Sequence, residues 1–446
     1  MSVLLALLVL GSVTDAPALE APPPSPRTHL LLRLPLVDAP FNVRGFPSMA
    51  QSLAVTEDLS LAIHQGIDTA LRPLGWPWHR MASLSAIFGF DLVFTYLPGG
   101  PSWLHEEWHR ATLTRRGLSS YDDVYRFKLF TETISVSHLE DGELARFKRD
   151  HPAEHVRMSA AGFESEWALL HALRDDGFYE GTALEPQLPS MWLVAVNNLF
   201  YLNMCTGSEA DTLTDQLNAA EPTIPVRDFT GLDCTAWAYD LHRPDEPYAA
   251  RGAHPSGVGY DRYIKRSDLS PAEQRYLATQ ARLSLVNLVS PALAGFERLP
   301  GPRLGGARAY WNASLSHYLT SYGDRLGLDV LLDVAGHGLF VGYRHHQNGV
   351  TSSPGLELAL VREPVLRGRW PVALSGRLEL WLQPRGQLFF ERHRQPGGAL
   401  TLGADVDLGE HLGLYAEGLA KSAGWMPGVV DLERAVELRS GVFVRF

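Results

Sequence analysis

VALSGRLELWLQ, Val372 to Gln383, decides how the last third of the chain folds. Leu374, Gly376, Leu378, Leu380 and Leu382 alternate with Ser375, Arg377, Glu379, Trp381 and Gln383. Successive side chains of a strand point to opposite faces, so the stretch reads as a strand with one apolar and one mainly polar face. GLELALV repeats the pattern with Leu356, Leu358 and Leu360 on one side, and ALTLGADVDLG with Leu402, Ala404, Val406 and Leu408. Further strand candidates cover 307–318, 326–334, 339–346, 387–394 and 411–421. The chain ends RAVELRSGVFVRF, with Val436, Leu438, Val442, Val444 and Phe446 on a single face. Turn residues such as Pro384-Arg385-Gly386 and Pro396-Gly397-Gly398 separate the runs.

Alternating segments of about ten residues joined by short turns resemble a transmembrane β-barrel, and Phe446 resembles the C-terminal assembly signal of bacterial outer-membrane barrels. The resemblance implies an antiparallel β-barrel of about eight strands over 301–446 and contact with outer-membrane lipid. A soluble sandwich, or a sheet packed on a helical domain, is the other arrangement such alternation allows. The N-terminal order agrees with export. An apolar run from Val3 to Leu10 precedes small residues and then a proline-rich stretch, although no Lys or Arg comes before it. This predicts a signal peptide over 1–20 and a linker over 21–46, with the mature chain in the bacterial outer membrane or periplasm. Cys205 and Cys234 suit an exported chain with one disulfide, and equally suit two buried thiols.

Residues 47–300 read as a mainly helical domain, giving an α+β chain overall. Ser270-Pro271-Ala272-Glu273 combines an N-cap, a proline at the first helical position and a capping-box glutamate. Ala82–Leu97 and Met191–Met204 are apolar nearly all round, yet shorter than the roughly 20 residues a spanning helix needs. Central core helices are the expectation for both. Asp245–Gly259, rich in proline, glycine and alanine, reads as a long surface loop. Against 39 basic residues stand 50 acidic ones, a net charge of −11, and no basic run occurs. Nucleic acid is therefore excluded as a partner.

The chemistry lies in PSWLHEEWHRA, Pro101 to Ala111. On a helix His105 and His109 share a face one turn apart, so both imidazoles can reach one cation. Glu106 is offset and can instead take a proton from a water on that cation. Pro98-Gly99-Gly100-Pro101-Ser102 is a helix-start region with Ser102 a candidate N-cap. LHEEWHRA resembles the active-site helix of HExxH zinc metallopeptidases, the zincins. The resemblance implies Zn2+ held by His105 and His109, Glu106 as the catalytic base, and a peptide or protein substrate. It departs from the family's habit in carrying charge at Glu107 and Arg110, which solvent exposure would accommodate.

A third metal ligand would come from a second helix in the glutamate-ligand branch of that family. SAAGFESEWALLHAL (Ser159–Leu173) offers Glu164 as the choice and Glu166 as the reserve. Ala160, Ala161 and Gly162 would let this helix approach the first closely, and His171 could act as an outer partner. Two rival functions remain. One is a non-enzymatic outer-membrane barrel protein with a helical plug or periplasmic domain. The other is a lipid-modifying barrel enzyme using strand residues such as His345 or His393.

Overall fold

The computed structural model describes residues 31–41, 46–127, 134–304 and 307–445; the segment 1–20 read as a signal peptide lies outside them. The chain is α+β. Strand β1 (Leu31–Ala39) precedes α1 (Met49–Leu71), α2 (Trp78–Phe94), α3 (Pro101–Arg115), the small hairpin β2 (Tyr121–Asp122) and β3 (Val136–Ser137), α4 (Asp141–Asp150) and α5 (Pro152–Tyr179). There follow α6 (Leu188–Met204), α7 (Glu209–Ala220), α8 (Asp233–His242) and α9 (Pro271–Leu283). The rest is strand: β4 (Leu299–Leu304), β5 (Ala307–Leu319), β6 (Asp324–Val334), β7 (His337–Gln347), β8 (Ser352–Leu366), β9 (Val372–Pro384), β10 (Arg394–Asp407), β11 (Leu412–Lys421) and β12 (Ala435–Arg445).

Nine of these strands are consecutive antiparallel neighbours, and β1 adds a tenth by pairing with β12, Leu34 opposite Val442. Part of the expected linker is thus a strand. The stretch 387–394 is not one; it is an irregular connection that leaves β9 with Gln387 at φ 58° and reaches β10 at Arg394. The sheet is not closed into a barrel: β1 and β4 end the strand order and do not pair with one another. Proline gives the physical reason. Pro300 and Pro302 in β4, and Pro35 beside a bulge in β1, have no N–H to offer another strand.

Successive rows across the sheet alternate in character. Ala313, Val330, Val341, Leu358, Leu378, Leu400, Ala420 and Val436 face one another in register across eight strands. The adjoining row is Ser314, Asp329, Gly342, Glu357, Glu379, Ala399 and Lys421. The apolar row is the outward one: Val341, Leu358, Leu378, Leu400 and Val436 are exposed, whereas Asp329, Glu357, Glu379 and Lys421 are buried. That is the reverse of a sheet whose apolar face packs on a core and whose polar face meets water.

Helix α5 fills the polar side. Its Arg174 reaches Asp329 (3.1 Å), His171 bonds the Tyr318 hydroxyl (2.9 Å), and the Tyr179 hydroxyl donates to the Leu339 carbonyl (2.6 Å). Arg344 bridges Asp329 and Glu357 at 2.5 Å each. The central core helix is therefore α5, nearly all of it buried. The two all-apolar stretches expected there form α2 and α6, which lie at the periphery with exposed outer faces. Helix α9 starts at Ser270 with its capping box, as the sequence predicts.

Buried carboxylates left without a partner are costly. Arg344→Met removes the cation shared by Asp329 and Glu357, leaves them only Arg174 and Arg377, and should lower stability by about 3 kcal/mol; denaturant titration followed by near-UV circular dichroism measures it.

Candidate metal centre

Helix α3 begins with Gly100 as N-cap and Pro101 at the first helical position, one turn before His105. Ser102 is inside the helix rather than its cap. All residues from Trp103 to Thr114 are buried, so α3 carries its polar side chains into the protein. Glu107 and Arg110 do not reach solvent. They pair with each other at 2.5 Å three residues apart, and Arg110 also lies over the Phe46 ring at 4.1 Å.

His105 and His109 face a common point, with ring centroids 4.9 Å apart. The carboxylate they meet belongs to Asp233, the first residue of α8 and 128 residues beyond His105. Asp233 Oδ2 is 3.0 Å from His105 Nε2 and 3.4 Å from His109 Nε2. The three buried residues offer ligand atoms all within 4.8 Å of one another and could hold a metal ion. Bonds of about 2.1 Å in a tetrahedral site place ligand atoms about 3.4 Å apart, which these separations approach.

The other ring nitrogens are already committed. His109 Nδ1 is 2.5 Å from the Met158 carbonyl oxygen, and His105 Nδ1 is 3.2 Å from Glu166 Oε1. Both partners are acceptors, so each imidazole carries its proton on Nδ1 and turns an Nε2 lone pair to Asp233. Three acceptors converge, and only a proton or a metal cation reconciles them. Burial works against a charge on His105, but Asp233 and Glu166 raise its proton affinity well above that of an ordinary imidazole. Burial likewise opposes the Asp233 charge, yet His109 and His105 hold its carboxyl down at about 2.

Glu164, the residue chosen from the sequence, is elsewhere. Its carboxylate accepts from Arg157 (2.9 Å), the Gly428 backbone N–H (2.9 Å) and Trp425 Nε1 (3.3 Å), tying the β11–β12 connection to α5. The reason is helical phase. Glu166 is one turn from Gly162 and shares its face toward α3, whereas Glu164 points to the far side with Arg157. Glu166 thus stands behind His105, held by Asn197 at 3.0 Å, rather than beside the cation position. His171 lies against the sheet, not the site.

A disulfide, a hydrogen bond and a close helix contact fix the arrangement. Cys205 and Cys234 form a disulfide, Cα–Cα 6.2 Å, which joins the end of α6 to the start of α8 next to Asp233. The Asp233 backbone N–H also donates to the Tyr201 hydroxyl at 3.0 Å. At Gly162 the two helices nearly touch: a Cβ there would lie 2.1 Å from His105 Nε2.

Glu106 opens onto a pocket of about 190 Å³ with His105, Asp233, Asp228 and Tyr201, and with Met204, Leu213, Leu217, Phe229 and Leu232 among its apolar walls. Burial pushes the Glu106 carboxyl well above the carboxylate range; His105 opposes this, while Asp122, Asp228 and Asp233 add to it. Asp233 is the functional residue that sequence reasoning missed. Its one signal is the position beside Cys234, a residue already singled out for pairing. No family model, curated protein or solved structure matches the chain.

Gly162→Ala should push the His105 ring off the shared point and weaken metal binding about 10- to 100-fold, with far-UV circular dichroism unchanged; competition with a chromogenic chelator reads the loss.

Proposed function

We propose that the chain is a zinc-dependent hydrolase of the bacterial cell envelope, acting on peptide bonds. The observation that carries this is the convergence of His105, His109 and Asp233 beside a glutamate that opens onto the same pocket. Zinc fits the donor set of two imidazoles and one carboxylate, and when bound would polarise a carbonyl and acidify a water. Glu106 takes a proton from the attacking water and returns it to the leaving amine. Its raised affinity for protons suits the return of the proton, while taking it requires the ionised carboxylate, which a cation held beside it by His105 and Asp233 would favour. Glu166 and the Met158 carbonyl hold the two imidazoles in one tautomer through their Nδ1 atoms. The apolar walls from Met204, Leu213 and Leu217 receive a side chain of the substrate and keep bulk water away from the reacting bond.

The envelope assignment rests on the sheet. Its outward apolar rows and inward ionic rows suit a wall between hydrocarbon and a polar interior, as in an outer-membrane barrel. Lipid is accordingly the partner of the outer face, and α5 is the plug of the interior. The Cys205–Cys234 bridge accords with an exported chain.

Purified full-length protein should contain one equivalent of zinc by mass spectrometry, lost in His105→Ala and Asp233→Asn. Glu106→Gln should keep the zinc while hydrolysis of an unstructured protein substrate falls by at least about a hundredfold. Undiminished hydrolysis in that variant would sink the proposal. Zinc affinity should also rise with pH through and above neutrality, since the His105 proton, held more tightly than on an ordinary imidazole, must leave before its nitrogen can ligate; titration calorimetry at several pH values follows this.

A further inference from the structure

The ten-stranded sheet leaves an opening between β1 and β4, and helices occupy it. Around that side of the molecule β1 touches α1, α1 touches α2, and α2 touches α6. Helix α6 in turn meets the short 3-10 turns 284–288 and 291–294, which pack on β5. Strands and helices together thus make a complete ring about α5.

The helical sector has the same inside-out polarity as the strands. On α2, Trp78, Met81, Leu92 and Val93 are exposed on one face, and on α6 so are Val196 and Phe200. Trp78 is 66% and Phe200 68% exposed, more than Leu358 on the sheet at 42%. Two polar side chains of α2, Ser83 and Asp91, turn inward instead. Ser83 donates to Asp68 (2.9 Å), and Asp91 meets His64 (2.8 Å), whose other ring nitrogen meets Gln187 (2.7 Å). Each helix has 17 residues. At 1.5 Å per residue that is about 25 Å, the height of the apolar band on outer-membrane barrels. No described helix is long and apolar enough to cross a membrane by itself. One whose inner side rests on protein has no such requirement, because only its outer stripe meets lipid.

We propose that α2 and α6 complete the lipid-facing wall that the strands leave open, so that acyl chains surround a mixed girdle of strands and helices. This rests on the membrane reading of the sheet given above. Exposed apolar side chains on strands and helices alike, over buried ionic and polar groups, have hydrocarbon as their matching solvent.

Single cysteines at Val93, Phe200, Leu358 and Arg149 in the full-length chain, spin-labelled and reconstituted in phosphatidylethanolamine–phosphatidylglycerol vesicles, test it. The native cysteines are bridged and take no label. Arg149 is an exposed helix residue and the aqueous reference. Labels at Val93, Phe200 and Leu358 should all collide with oxygen in strong preference to a water-soluble nickel chelate, several-fold above Arg149. A lipid signature at Leu358 alone, with nickel-accessible helices, overturns the helical wall and leaves the sheet reading standing. Nickel access at Leu358 as well defeats both. Labels on the helices shielded from both reagents, with dipolar broadening between molecules, would assign that face to a second copy and overturn the proposal.

Discussion

Helix α5 has to satisfy two surroundings at once, and the rest of the molecule is arranged around that requirement. Its first half packs against α3 and α8, where Gly162 lets the His105 ring lie against the backbone. Its second half enters the polar side of the sheet, where Arg174 and His171 meet Asp329 and Tyr318. In between, Glu164 binds the loop that joins β11 to β12. A helix so buried needs partners for its polar side chains, and Asp329 of β6 and the Leu339 carbonyl of β7 take up Arg174 and Tyr179. The inward polarity of the sheet and the position of the metal centre are thus two results of one packing problem.

The centre itself is governed by lone pairs. Fixing both Nδ1 protons on acceptors commits both Nε2 atoms to accept as well, and Asp233 then adds a further acceptor of formal negative charge. Protons can occupy such a place only by making imidazolium. A divalent cation satisfies all three atoms without doing so, so the donor set could hold a metal ion.

Much of this was legible in the amino-acid order. Period-two alternation located eight of the nine strands in 299–445, because a side chain's face follows directly from its parity. HExxH spacing on a helix brought His105, His109 and Glu106 to one place for a similar geometric reason. Closure of the sheet was misread because the prolines at 35, 300 and 302 act on edge hydrogen bonding, which hydrophobic parity does not register. Asp233 was missed because a ligand separated by well over a hundred residues leaves no local period. Glu164 was favoured on separation along the chain, while helical phase favoured Glu166 for the face toward α3. The all-round apolar character of α2 and α6 suggests depth in a core, yet each exposes part of its apolar surface.

The Cys205–Cys234 bridge carries one more implication. It adjoins Asp233, so the redox poise of the surroundings and the geometry of the centre are mechanically joined. Where thiols are kept reduced, the start of α8 loses its covalent tether to α6, and the site's carboxylate is held by noncovalent contacts alone.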